Sequence, residues 1–134
     1  MSNTFKITIA SQEKSSMEYE AEALITSTKD GQIEFKYNHA PIIVSTIPTT
    51  TTIINGDSRE EVFTSYGIVY VKNNEIKFIC DAAEKSYDID TARAMASKER
   101  AEKRLEERKD VDIERAIRSL ARANARINTN KIND

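Results

Sequence analysis

One cysteine, one histidine, two prolines, three glycines and no tryptophan occur in 134 residues, and the shortages of cysteine, histidine and glycine each close off a class of protein. Cys80 is alone, so no intramolecular disulfide can form, and Cys80 with His39 falls short of the ligand count of a usual metal site. A reducing, metal-free setting fits this composition. Gly31, Gly56 and Gly67 are isolated, so there is no glycine-rich phosphate loop and no Walker sequence. No apolar run approaches the ~20 residues that span a bilayer, and Met1 to Lys6 lacks the charged and long apolar regions of a signal peptide. No nucleophile, metal cluster or pair of carboxylates suggests an independent enzyme. The length allows one ordinary domain, or a small β domain with a helical appendage.

What is present falls into two unlike parts. Residues 1 to 89 hold 8 Lys and Arg against 13 Asp and Glu, while residues 90 to 134 hold 12 against 9. In the first part Phe5, Ile7 and Ile9 alternate with Lys6 and Thr8, as in a half-buried strand. Short runs follow at Met17 to Ile25, Ile33 to Tyr37, Ile42 to Ile47, Thr50 to Ile54, Glu61 to Tyr66, Ile68 to Lys72 and Ile76 to Cys80. Asn55-Gly56 and Asn73-Asn74 each predict a type I′ hairpin turn. Such spacing predicts an antiparallel β-sandwich or barrel. The threonines from Thr49 to Thr52 read as strand, and Cys80 reads as a small buried hydrophobe. His39, before Ala40-Pro41, reads as a structural loop histidine.

After Cys80 the chain turns rich in alanine and charge, and the boundary is placed at residues 84 to 88, giving a sandwich over 1–86 and a helical part over 87–134. Asp90 to Arg108 are good helix formers, with Asp88 or Asp90 as N-cap, and a second helix starts at Asp110 or Asp112. Lys109-Asp110 leaves a short connection, so the helices are predicted to form an antiparallel hairpin. Asp88-Ile89-Asp90-Thr91-Ala92-Arg93-Ala94 recurs in near copy as Asp110-Val111-Asp112-Ile113-Glu114-Arg115-Ala116. Ile113, Ala116, Ile117, Leu120, Asn124 and Ile127 are predicted to face inward, against Ala94, Ala101 and Leu105.

Eight of the nine arginines lie from Arg93 onward, and no acidic residue occurs between Arg115 and Lys131. Arg115, Arg118, Arg122 and Arg126 recur every three or four residues and repel one another by roughly 0.2 to 0.5 kcal/mol per pair. One reading is a solvated face neutralised by Glu106, Glu107 and Glu114. Another is an anion site, in which Arg93 on one helix and Arg122 and Arg126 on the other grip a triphosphate, with Glu84 and Asp90 available to ribose or adenine. A nucleic-acid surface is a third reading, opposed by the acidic sandwich and the absence of a base-stacking platform beside the arginines.

These residues resemble the ε subunit of bacterial F-type ATP synthase along the whole chain. The resemblance is carried by the opening strand Thr4 to Ile9, by His39-Ala40-Pro41-Ile42, by Ser65-Tyr66-Gly67 leading into Ile68 to Val71, and by Ile79-Cys80-Asp81-Ala82-Ala83-Glu84. The most specific element is the family's nucleotide motif, complete as Ile89-Asp90-Thr91-Ala92-Arg93-Ala94. In members that bind ATP, an acid before the motif and two arginines a turn apart complete the site. Glu84, Arg122 and Arg126 hold those places here, with Arg100 a further candidate. The chain departs from the family over Gly31 to Asn38, where two glycines and a proline are missing.

The resemblance implies a β-sandwich followed by a helical hairpin, and a non-catalytic subunit of the rotating central stalk that needs no cofactor. It implies attachment of the sandwich to the γ subunit and the c-ring, with Gln32, Glu34 and His39 in the ring-facing loop. It implies contact of Arg115, Arg118, Arg122 and Arg126 with acidic segments of the catalytic β and α subunits, blocking hydrolysis when the hairpin is extended. ATP enters as a regulatory ligand that favours the folded hairpin. Residence at the cytoplasmic face of the bacterial plasma membrane, through the complex alone and without nucleic acid, completes the expectation.

Overall fold

A computed structural model describes residues 3–12, 15–107 and 112–132. Ten strands come first: β1 (Phe5–Ser11), β2 (Met17–Ala21), β3 (Ala23–Thr28), β4 (Gly31–Lys36), β5 (Ile42–Thr46), β6 (Thr49–Asn55), β7 (Ser58–Thr64), β8 (Gly67–Lys72), β9 (Glu75–Cys80) and β10 (Ala83–Lys85). A 3₁₀ turn at Ser86–Asp88 then leads to helices α1 (Thr91–Glu107) and α2 (Ile113–Ile132). The strands form two five-stranded sheets, ordered β2-β1-β9-β8-β5 and β10-β7-β6-β3-β4. The predicted sandwich and two-helix hairpin are both there. The predicted Lys109-Asp110 connection lies outside the described residues.

Alternation builds the core. Phe5, Ile7, Ile9, Val69, Ile76 and Phe78 turn inward from the first sheet to meet Leu24, Phe35, Ile53 and Val62 of the second. Threonines extend this interior without leaving unpaired hydroxyls: Thr51 Oγ1 lies 2.9 Å from Thr26 Oγ1 and 2.7 Å from Thr64 Oγ1, and all three are fully buried. Not every pairing is antiparallel. β1 lies between β2, which it pairs antiparallel, and β9, which it pairs in parallel.

Local chemistry refines several expectations. The Met17 to Ile25 run is two strands, β2 and β3, in different sheets, parted at Glu22. Ala83–Lys85 is a short strand on β7, although its composition already resembles the helical part. Asn73 and Asn74 have φ of 53° and 57°, as a type I′ turn requires. At the other hairpin Asn55 pairs with Ser58, so the central residues are Gly56 and Asp57, and only Gly56 has positive φ. That is the requirement of a type II′ turn, with glycine in the first central position.

The inward stripe predicted for α2 is rotated. Ala116, Ala123, Ala125 and Thr129 are buried, while Ile113 and Ile117 are 44% and 51% exposed and Asn124 is exposed. The reason is that α2 packs on two surfaces at once, α1 on one side and strands β6 and β7 on the other. With 3.6 residues per turn, Ala116 and Ala123 point one way and Ala125 and Thr129 the opposite way. The buried sector between these directions excludes the isoleucines. Against α1 the contact is made by small residues, Ala94 and Ala101 being buried and Leu105 half-buried.

Two measurements test this packing. A Cβ at Gly67 would lie 2.7 Å from Cys80 Cβ and would also collide with the Ile79 carbonyl oxygen, which is backbone of the paired strand. Gly67→Ala is expected to lower stability by about 1 to 3 kcal/mol in urea unfolding. Burial pushes the Cys80 thiol up to about 11, so its reactive thiolate is scarce at neutral pH. Iodoacetamide at pH 8 should leave Cys80 largely unmodified in the native protein and alkylate it readily in denaturant, and equal rates would contradict this burial.

Candidate functional site

The outer face of the second sheet carries α2. Across β10, β7 and β6 the residues Glu84, Phe63 and Thr50 are direct cross-strand neighbours and form one row. Arg126 Nε donates to Glu84 Oε1 at 2.6 Å, and its guanidinium carbon stands 4.5 Å from the centre of the Phe63 ring. Ala125 packs with Phe63, Ile89 and Ala82 in a small apolar cluster. Thr129 Oγ1 lies 2.7 Å from Thr50 Oγ1, Asn128 Nδ2 donates to the same hydroxyl at 3.3 Å, and Asn130 Nδ2 donates to the Ser86 carbonyl at 3.3 Å. The hairpin is thus seated by one ion pair, a hydroxyl and amide seam and a single aromatic ring.

Both helices begin alike. Asp90 Oδ1 accepts from Arg93 N at 3.0 Å and the Asp90 carbonyl accepts from Ala94 N at 3.0 Å. Asp112 does the same for Arg115 N and Ala116 N, at 3.1 Å each. The near repeat Asp-x-x-Arg-Ala is therefore a helix-start unit in both copies, and of the alternatives named above Asp90 and Asp112 are the N-caps.

Above this seat a cleft of about 380 Å³ opens between sandwich and hairpin. Glu84 comes from β10, Asp88 from the 3₁₀ turn, Asp90, Arg93, Ala94 and Ser97 from the start of α1, and Arg126 from α2. Five of the predicted nucleotide residues, Glu84, Asp90, Arg93, Ala94 and Arg126, are brought together here. Three are not in its lining. Ile89 is buried beneath, in the Phe63 cluster, Arg122 donates to Ser119 Oγ at 3.4 Å, and Arg100 donates to Ser97 Oγ at 3.1 Å at the rim. Arg126 is engaged by Glu84, whereas the exposed Arg93 side chain makes no hydrogen bond or ion pair among the described residues. A guanidinium without a carboxylate partner, facing a cleft, is free to take a phosphate or carboxylate in bidentate fashion.

The arginine ridge is divided in this conformation. Arg115 and Arg118 are exposed, the latter 5.7 Å from the Tyr66 ring, while Arg122 and Arg126 are half-buried and only Arg126 of the four is in the cleft lining. The ring-facing candidates differ in kind. Gln32 and Glu34 are exposed on strand β4, not in a loop, because the chain turns at Gly31 and pairs with β3 at once. His39 alone lies in the following loop, its ring 5.1 Å from that of Phe35 and its Nδ1 2.7 Å from the Ala40 carbonyl.

Sequence reasoning missed Phe63, Thr50, Asn128, Thr129 and Asn130. A signal for Phe63 existed: Val62 and Phe63 are adjacent apolar residues in a strand, and both are fully buried, so the strand is covered on both faces. The polar seam left no such trace. Among the described residues no group of His, Cys, Asp and Glu is placed to hold a metal, and no helix is long and apolar enough to cross a membrane.

A family model for the β-sandwich domain of the ATP synthase delta/epsilon chain matches residues 4–86, and one for its long α-helix domain matches residues 88–131. The ATP synthase epsilon chain of Clostridium acetobutylicum is 42% identical over 106 residues, which is 78% of this chain and 80% of that one. That of Clostridium novyi is 41% identical over 106 residues, covering 78% and 81%. Among solved structures, a chain of the Euglena gracilis mitochondrial ATP synthase in an OSCP/F1/c-ring assembly superposes with a TM-score of 0.79 at 13% identity, over 93% of this chain and 80% of that one. A chain from the central stalk and c-ring of the Tetrahymena thermophila mitochondrial enzyme gives 0.54 at 10%, over 63% and 69%. At such identities the two structures speak for the fold alone, but the two family models span sandwich and hairpin end to end, and the chain belongs to the ATP synthase delta/epsilon family.

Proposed function

We propose that the chain is the non-catalytic ε subunit of the central stalk of a bacterial F-type ATP synthase, and that its hairpin is a regulatory element whose folded form binds ATP. The sandwich is held by γ and seated on the c-ring, so that ion-driven rotation passes through the stalk to the catalytic β and α subunits. Its place is peripheral, at the cytoplasmic face of the plasma membrane, through the complex.

For nucleotide, the observation that carries the reading is that Glu84, Asp90, Arg93 and Arg126 come from three separate segments and share one cleft. The cleft exists only while the hairpin lies on the sandwich. A ligand that needs all three segments favours that state over any in which α2 has left, which is the thermodynamic requirement for a ligand-read switch. Arg93 is the residue poised for phosphate, and the carboxylates of Asp88 and Asp90 are placed for hydroxyl or amino groups. The ridge role belongs to the other state. With Arg126 held at the cleft and Arg122 half-buried, the four arginines face an acidic partner together only after α2 leaves the sheet.

For γ, the support is an apolar strip on the outer face of the first sheet. Ile43 pairs with Tyr70 and Ile68 with Ile79 across β5, β8 and β9, and all four are exposed, Ile43 at 69%. Exposed apolar residues in a contiguous strip mark a protein contact. The edge strand β5 has no charged side chain, whereas the other edges, β2, β4 and β10, each carry them.

Two experiments test these readings. Arg93→Ala is expected to weaken ATP binding to the isolated protein at least about tenfold, from the loss of a charge-assisted hydrogen bond; calorimetry giving the parent affinity would remove nucleotide from the cleft. Ile43→Asp with Ile79→Asp, both solvent-facing and so compatible with folding, should reduce co-purification with γ by about tenfold or more. Full retention of γ by that variant would place the γ contact elsewhere.

A further inference from the structure

The four ion pairs of the described residues are not alike. Lys6–Glu18, Lys36–Glu34 and Arg59–Glu61 each join residues of the sandwich, and in each the basic side chain is more than half exposed. Arg126–Glu84 is the shortest, at 2.6 Å, the one with both side chains largely covered, at 27% and 18% exposure, and the one that joins hairpin to sandwich. Its geometry is fixed from both ends. Glu84 is held in β10 by pairing with Phe63, and the Phe63 ring supports the guanidinium from below. What else seats α2 is a set of hydroxyl and amide contacts with one small apolar cluster, and a neutral hydrogen bond contributes less than a charge-assisted one.

We infer that the Glu84 carboxylate is a built-in anion for Arg126, a latch that keeps the hairpin closed on the sandwich when no ligand is bound. Covered ion pairs lose more on being broken from one side than on being absent, because the remaining charge is left without a partner. The pair therefore ties the closed state to a charge the protein supplies itself. The second half of the inference rests on the nucleotide reading above. A polyphosphate entering the cleft meets Arg93 free and Arg126 taken, so it reaches the second arginine by displacing Glu84. Its hold on the conformational equilibrium is then only the difference between what its phosphates and what Glu84 give to Arg126, since a ligand shifts a population by its differential affinity alone.

The test uses the full chain with spin labels at Asp57→Cys and Glu107→Cys, both exposed sites, one on the sandwich and one at the end of α1; buried Cys80 stays unlabelled. Pulsed electron resonance reads the distance between them without ligand. Glu84→Gln and Arg126→Gln are each expected to raise the open population about tenfold, and the double variant no more than either alone, as for two halves of one interaction. An unchanged distance distribution in Glu84→Gln, with the sandwich folded by circular dichroism, overturns the latch. So does a double variant that opens by the product of the two single effects. Added ATP should close Glu84→Gln again but not Arg126→Gln; equal closure of both overturns the displacement. If calorimetry shows that ATP binds neither the parent nor Glu84→Gln while Glu84→Gln still opens, the latch stands and the nucleotide reading falls.

Discussion

Everything that distinguishes this molecule from a bare sandwich depends on one row of three side chains, Glu84, Phe63 and Thr50, lying across β10, β7 and β6. The row offers α2 an acid, a ring and a hydroxyl in sequence, and α2 answers with Arg126, Ala125 and Thr129 at helical spacing. Nothing in it has the character of a core. Fully buried Phe63 is its one large apolar member, and the rest is polar matching polar, which water can also satisfy once the partners separate. The sandwich interior is built by the opposite rule, from Phe5, Ile7, Phe35 and Phe78 across two sheets, and its cluster contains no residue of the hairpin.

This division explains the odd amphipathicity of α2. A helix whose only task was to pack on α1 would bury Ile113 and Ile117, yet both stand in water. The helix has instead been turned so that alanines and a threonine make its contacts, and small residues let backbones approach closely at little cost if the contact is later undone. Ile113 and Ile117, with the exposed Arg115 and Arg118, are thereby left on the surface of α2.

Much of the architecture was legible in residue order because it arises from local periodicity. Alternation in Phe5 to Ile9 and Ile76 to Cys80, the Asn73-Asn74 turn and the aspartates opening each helix are short-range signals, and each appears as read. Three of the misreadings share a cause. Whether Met17 to Ile25 is one strand or two, whether β1 runs parallel to β9, and which side of α2 is covered are settled by residues far away in the chain. The site divides in the same way. Five of the eight residues picked by charge and motif line the cleft and three do not, and the hydroxyl seam under them was not read, because Thr50 and Thr129 are separated by 79 positions and neither is unusual where it stands.

The duplicated Asp-x-x-Arg-Ala unit has a bearing on how such chains are sorted. Its second copy caps α2 with the same bonds, within 0.1 Å, as the first caps α1, yet it is the first, with Asp90, Arg93 and Ala94, that lines the cleft between sandwich and hairpin. A pattern that a helix needs in order to begin will recur wherever such a helix begins, whatever the chain binds. Scanning genomes for it counts helix starts. On the nucleotide reading proposed above, the residues that separate a reader from a non-reader are to be sought outside the pattern, in the acid across the gap on β10 and the arginine that answers it from α2.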